Sequence, residues 1–232
     1  MKKIIIVLSC VVLILGTFLL YSFLHTRFSK ENDYRAKEHE FYEAIDLLKK
    51  EKYSDAYQKV NDIKSVENQK IIKNIIAYSY FKNICDCFNE VSENAKKSTD
   101  LINEVATHNA IYGTIVVDKN KQKELDDADV EIISKYGDLN TQYSKEILYS
   151  DLENLYNAYG EFIIAYTGLN ENLEEKLLDE NKRNKLMTDI QNFMDKTNEL
   201  SKYIGDVGDL HPDNEIPEQY RIMFDFDSNS NK

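Results

Sequence analysis

Residues 67–106 read ENQKIIKNIIAYSYFKNICDCFNEVSENAKKSTDLINEVA. No glycine or proline interrupts them, and none occurs anywhere between Gly16 and Gly113. Apolar or small residues recur at Ile71, Ile72, Ile75, Ile76, Ser79, Phe81, Ile84, Cys85, Phe88, Val91, Ala95, Ile102, Val105 and Ala106. Steps of three and four dominate the second half, which is helical spacing, and strand-like alternation is absent. A helix of this length has to bury a face along its whole course, in a bundle or a coiled coil. The stretch therefore sets the fold class as all-α.

Downstream the same periodicity returns in segments. Ala110–Val117 is a β-branched run around Gly113, and a kinked helix or buried turn suits it better than a strand with no partner in sequence. Lys119–Glu124 forms a polar connector or helix start, and Leu125, Ala128, Ile132, Ile133 and Tyr136 give an amphipathic stretch ended by Gly137. Asn140 opens the next helix, whose apolar positions run from Tyr143 to Tyr166. Gly160 inside it would allow a close helix crossing, and Gly168 would end it. A last long helix is expected from Asn170 to Ile204, with Leu173, Leu177, Met187, Ile190, Met194, Leu200 and Ile204 on one face, stopped by Gly205 and Gly208. Residues 206–232 hold both prolines, Pro212 and Pro217, and read as an irregular or disordered tail. Tyr220, Ile222, Met223, Phe224 and Phe226 are its docking candidates.

Upstream, a first soluble helix is expected over Asp33–Lys52, with Phe41, Ile45 and Leu48 on one stripe. Ser54 or Asp55 would cap a second helix and Ser65 a third. Ala44-x-x-Leu47, Tyr53-x-x-Ala56-x-x-x-Val60 and Ile76-Ala77-x-x-Tyr80 together resemble one and a half tetratricopeptide-type repeats over residues 41–81. Glu51 stands where that family often has Gly, Asn68 where it often has Pro, and no second turn follows Tyr80. The resemblance implies a protein-interaction scaffold rather than an enzyme.

The chain begins with a different kind of segment. Ile4–Leu24, IIIVLSCVVLILGTFLLYSFL, carries no charge and follows Lys2 and Lys3. At about 1.5 Å per residue it reaches about 30 Å, the thickness of a hydrocarbon core. The expected anatomy is a membrane anchor at 1–28, a soluble helical domain at 29–205 (hairpin 29–66, long-helix bundle 67–205) and the tail at 206–232. Membrane lipid is thus a partner through residues 4–24. The basic N-terminus points to a cytoplasmic start and an extracytoplasmic domain. Two alternatives compete. Val7-Leu8-Ser9-Cys10 is similar to a lipobox, although Leu8 is unusual there and the apolar run continues past Cys10. A cleaved signal would need a shorter core and a small-x-small site.

Charge narrows the partners. Residues 25–232 hold 27 basic residues against all 41 acidic ones, a net of −14. Such a surface repels phosphate backbones, so no nucleic acid is expected. Lys over Arg, with abundant Ile, Asn and Tyr, suggests an AT-rich bacterial genome.

Chemistry finds no foothold. His25, His39, His108 and His211 are scattered without paired spacing. Asp225-x-Asp227-x-Asn229 has the alternating oxygens of a calcium loop but lacks its Gly and its final Glu. Asp126, Asp127 and Asp129 read as helix-start charge. Cys85 and Cys87, two apart on a helix, point to different sides and cannot bridge each other. No catalytic, cofactor-binding or metal-ligating residue is assigned, and no cofactor or enzymatic activity is expected. The reading is a non-catalytic, single-pass interaction or scaffolding module of the cell envelope with a protein partner. A sensory or ligand-binding ectodomain and an immunity or exclusion protein are the alternatives.

Overall fold

The computed structural model describes residues 38–143, 150–170, 173–209 and 212–226. The expected anchor at Ile4–Leu24 and the first part of the 29–66 hairpin lie outside them. Among the described residues every regular element is helical. None of those helices is long and apolar enough to cross a membrane.

In chain order the helices are α1 (His39–Leu48), α2 (Tyr53–Lys59), α3 (Val66–Tyr112), α4 (Lys119–Tyr136), α5 (Leu139–Gln142), α6 (Ser150–Asn170), α7 (Leu173–Leu178), α8 (Glu180–Gly208) and α9 (Glu218–Met223). Short 3-10 turns at Val60–Asp62 and Pro212–Glu215 join them.

Helix α3 is the spine. Its 47 residues rise about 70 Å at about 1.5 Å each. Ser65 caps it by accepting from the Asn68 N–H (3.3 Å). Its buried face runs Ala77, Tyr80, Ile84, Cys87, Val91, Asn94, Ser98, Leu101, Val105, alternating steps of three and four as in a heptad seam. Helix α4 runs back along the upper half, where Lys121 pairs with Glu104 and Lys135 with Glu90. Helix α6 runs parallel to α3: Tyr156 neighbours Tyr80, Tyr159 reaches Cys87, and Tyr166 reaches Asn94. Helix α8 returns against α6, with Phe193 on Phe162 and Tyr166, and its end at Gly208 meets Phe81 of α3. The result is an up-down-up-down bundle around α3, α4, α6 and α8.

The α1–α2 hairpin packs on the lower part of α3 and buries Phe41, Ala44, Ile45, Leu48, Ala56 and Val60. Helix α2 starts at Tyr53 with no side-chain cap, so Ser54 and Asp55 lie within its first turn. The repeat likeness ends there, because Ile76, Ala77 and Tyr80 lie inside α3, where no second hairpin forms.

The helix expected to open at Asn140 stops at Gln142, where Tyr143 turns extended, and three further segments depart from the sequence reading. The helix expected over residues 170–204 is two helices. Asp179 breaks the run and caps α8 by accepting from the Lys182 N–H (2.9 Å), and α8 passes Gly205 to end at Gly208. Its buried positions are Leu186, Phe193, Leu200 and Val207, a strict seven-residue step. Met187 and Met194 sit one residue further round the helix, about 100° away, and are exposed at 65% and 52%. Second, α6 runs through Gly168 to Asn170. Third, much of the expected irregular tail is ordered. Residues 212–226 return to the base, where Asn74 donates to the Glu215 carboxylate (3.1 Å) and Lys82 to the Asp225 carbonyl (2.8 Å). Tyr220 meets Phe41 and Phe226 meets Tyr78 edge-on. Burial of Ile216, Tyr220 and Phe226 drives that docking.

Candidate interaction surfaces

The bundle's centre carries a ladder of tyrosines bound to polar groups of α3, α4 and α5. Tyr80 donates to Asn140 Oδ1 (2.7 Å), and Asn140 in turn donates to the Tyr156 carbonyl (3.1 Å). A Cβ at Gly160 would stand 3.2 Å from Asn140 Nδ2, so glycine there gives the crossing its room. Asn83 donates to the Tyr143 hydroxyl (3.0 Å), and Tyr53 stacks on Tyr143. Tyr159 donates to the Tyr136 carbonyl (2.9 Å). Higher up, Asn94 donates to Asp129 (2.7 Å) and to the Tyr166 hydroxyl (2.8 Å), and Tyr166 also bonds Asp129. Sequence periodicity places these side chains in the core but does not show that they bind one another.

Burial pushes the hydroxyls of Tyr80, Tyr143 and Tyr159 far above their ordinary range. It raises the Cys85 thiol to about 11 and the Cys87 thiol to about 12. These groups stay neutral at physiological pH, so neither cysteine is a poised nucleophile. Glu90 runs the other way. Burial opposes its charge, but hydrogen bonds from Lys135 (2.7 Å) and Tyr136 (2.8 Å) hold its carboxyl below the ordinary range. The ladder aligns the helices through these buried hydrogen bonds.

The acidic cluster of α4 comes apart in the same way. Asp126 accepts from Gln122, Asp127 pairs with Lys123, and Asp129 turns inward to Asn94. No group of three His, Cys, Asp or Glu side chains able to hold a metal occurs among the described residues. Asp227 and Asn229 lie outside them, as do His25 and His211. His39 is exposed on α1 and His108 is engaged at the tip.

Two surfaces lie at the ends of the bundle. The first is the tip, where α3 turns into α4. Gly113 takes φ +67° and donates its N–H to the Asn109 carbonyl (2.8 Å), a left-handed helix end that a side chain would strain. No strand forms over residues 110–117. Beyond Gly113 the chain is extended, with Val117 turned in and Val116 turned out, and Asp118 caps α4. His108 Nδ1 lies 2.9 Å from the Thr114 carbonyl and the imidazole packs on the Tyr112 ring. Ile111, Tyr112 and Val116 are left 66%, 68% and 57% exposed. These three exposed apolar side chains form an apolar cap at this end of the bundle. Below it a shallow groove of about 550 Å³ follows Asp100, Glu104, Thr107 and His108 down α3.

The second surface is a groove of about 680 Å³ at the base, between α1, the start of α3 and α9. Phe41, Tyr220 and Ile222 line it, and Glu38, Glu67 and Glu218 edge it.

No family model, curated protein or solved structure matches the chain.

Proposed function

We propose that the protein is a membrane-anchored, non-catalytic interaction module. It presents the apolar cap at the α3–α4 turn to a protein partner in the cell envelope. Residues 4–24 would hold it in the bilayer, with the N-terminus cytoplasmic and the helical domain outside. One observation carries the reading. Ile111, Tyr112 and Val116 are exposed together at one end of α3, while Glu38, where the described chain begins, lies at the other and accepts from Asn68 (2.6 Å). The 43 residues from Asn68 to Ile111 separate the two ends by about 65 Å. The patch thus stands far from Glu38, on whose N-terminal side the proposed anchor would join. A tyrosine and two aliphatic side chains on a rigid turn have the character of an interface hot spot.

The test is twofold. Protease added to intact cells should remove the helical domain, and alkaline extraction should leave the chain in the membrane. Protection of the domain, or release from the membrane, contradicts the reading. A second reading, a ligand-binding ectodomain, draws on the base groove with its three aromatic or aliphatic walls and carboxylate edge. It predicts that a small cationic aromatic ligand raises the melting temperature of the purified chain, and that Phe41→Ala abolishes the shift.

A further inference from the structure

The outward face of α8 presents Met187, Gln191, Met194, Asn198, Ser201 and Gly205 at alternating steps of four and three, all exposed. None of the six is charged, in a chain whose residues are 30% charged. Ile190 is half-buried beside the two methionines. Gly205 costs the helix about 1 kcal/mol relative to Ala. The fold gives no return for it, since a Cβ there would meet nothing within 4 Å. An uncharged, partly apolar stripe ending in small residues on an acidic protein is a surface for another helix.

We propose that the occupant is α8 of a second copy, running antiparallel with its two-fold axis between Thr197 and Asn198. In that register large residues oppose small ones: Met194 faces Ser201, Ile190 faces Gly205, and Met187 faces the helix end at Gly208. The small residues allow the axes to approach to the 8–10 Å of close helix pairs. The flanking charges agree. Asp195 and Lys202 are exposed on the same side of the stripe, and the two-fold axis brings Asp195 of each copy within one turn of Lys202 of the other. Parallel pairing would set methionine against methionine and would put Asp195 and Lys202 against the uncharged flank of Ile190, Thr197 and Ile204, with no charge pairing. The uncharged stripe also suits self-association because the chain's net charge of −12 opposes approach through its charged faces.

The inference does not depend on the anchor or on the tip. If residues 4–24 do span a bilayer, antiparallel pairing places the two anchors at opposite ends of the pair.

The experiment uses the full chain in detergent. Light scattering should give twice the chain mass for the protein itself and the single mass for Gly205→Leu, whose Cβ meets no neighbour within its own fold. Asp195→Lys should weaken the dimer at least tenfold, and adding Lys202→Asp should restore it. Mild oxidation should link Asn198→Cys into a covalent dimer above the level of the parent chain. Met187→Cys should not link, because its own copy lies about 30 Å away along the paired helices. A single mass for the parent chain, equal linking at positions 187 and 198, or failure of the double charge swap to restore the dimer would each overturn the proposal.

Discussion

Glu51 takes φ +57°, a left-handed conformation that a side chain with a Cβ adopts at a cost. It closes the turn between α1 and α2, where the Lys52 N–H donates to the Leu47 carbonyl (3.0 Å). Glu51→Gly should therefore raise unfolding stability by about 0.5–1 kcal/mol, the relief of strain exceeding the entropy added to the unfolded chain. Glu51→Val should lower it, and urea denaturation reads both. The turn at Glu51 and Lys52 was expected from the sequence, where Glu51 departs from the glycine of the repeat family that residues 41–81 resemble; its left-handed conformation was not. The buried thiols give a pH signature. Unfolded Cys85 and Cys87 ionise near the ordinary value of 9.0, whereas the folded thiols hold their protons to about 11 and about 12. The unfolded state loses protons first. This contribution to stability is therefore fully present below about pH 9 and declines as pH rises towards 11. A urea midpoint that falls between pH 8 and pH 10.5, and falls less in Cys85→Ser/Cys87→Ala, fits the structure; an unchanged midpoint does not. Iodoacetamide should leave Cys87 unmodified at pH 8 until the chain unfolds.

At the scale of elements, the seams of α6 and α8 decide which side chains matter. Phe162 is fully buried against Phe88 and Phe193, while Ile164, two residues on, is 73% exposed. Phe162→Ala should cost about 3–5 kcal/mol, and Ile164→Ala should stay within about 0.5 kcal/mol. Equal effects would mean that α6 presents another face to the core. Truncation after Asp209 should lower stability by about 1.5–3 kcal/mol for each of the buried side chains Ile216, Tyr220 and Phe226. A truncated chain with an unchanged urea midpoint would show the segment to be an ornament. Much of this scale was readable. The breaker-free run fixed α3, Ser65 capped it, and Gly137 ended α4, whereas Gly113, read as a kink or a buried turn, proved to be the end of α3. The register of α8 was not, because Met187 and Met194 are as apolar as Leu186 and Phe193, and a one-residue slip still satisfies helical spacing. The break at Asp179 was missed because Asp is common both inside helices and at their caps. The docking of residues 212–226 depends on Phe41 and Tyr78, more than 130 residues earlier, a pairing that local pattern cannot supply.

For the whole molecule, the sequence reading and the fold meet on an acidic, all-α helical bundle. The tip could not be read in advance as a candidate site. Its β-branched residues look like core, and local pattern does not show that Ile111 and Tyr112, in the last turn of α3, and Val116, beyond Gly113, are left exposed. The tyrosine ladder ties α3, α4, α5 and α6 together through buried hydrogen bonds, so the tip is carried on a rigid support. Ile111→Asp should leave the urea midpoint within about 0.5 kcal/mol, as an exposed change does, while abolishing partner binding. The most direct measurement places a photo-crosslinking residue at Val116 in the full chain in its native membrane, with Gln58 on α2 as the control. The account predicts a covalent adduct to one other protein at position 116, lost when Ile111→Asp is added, and none at position 58. No adduct at 116, or the same adduct at both positions, would contradict it.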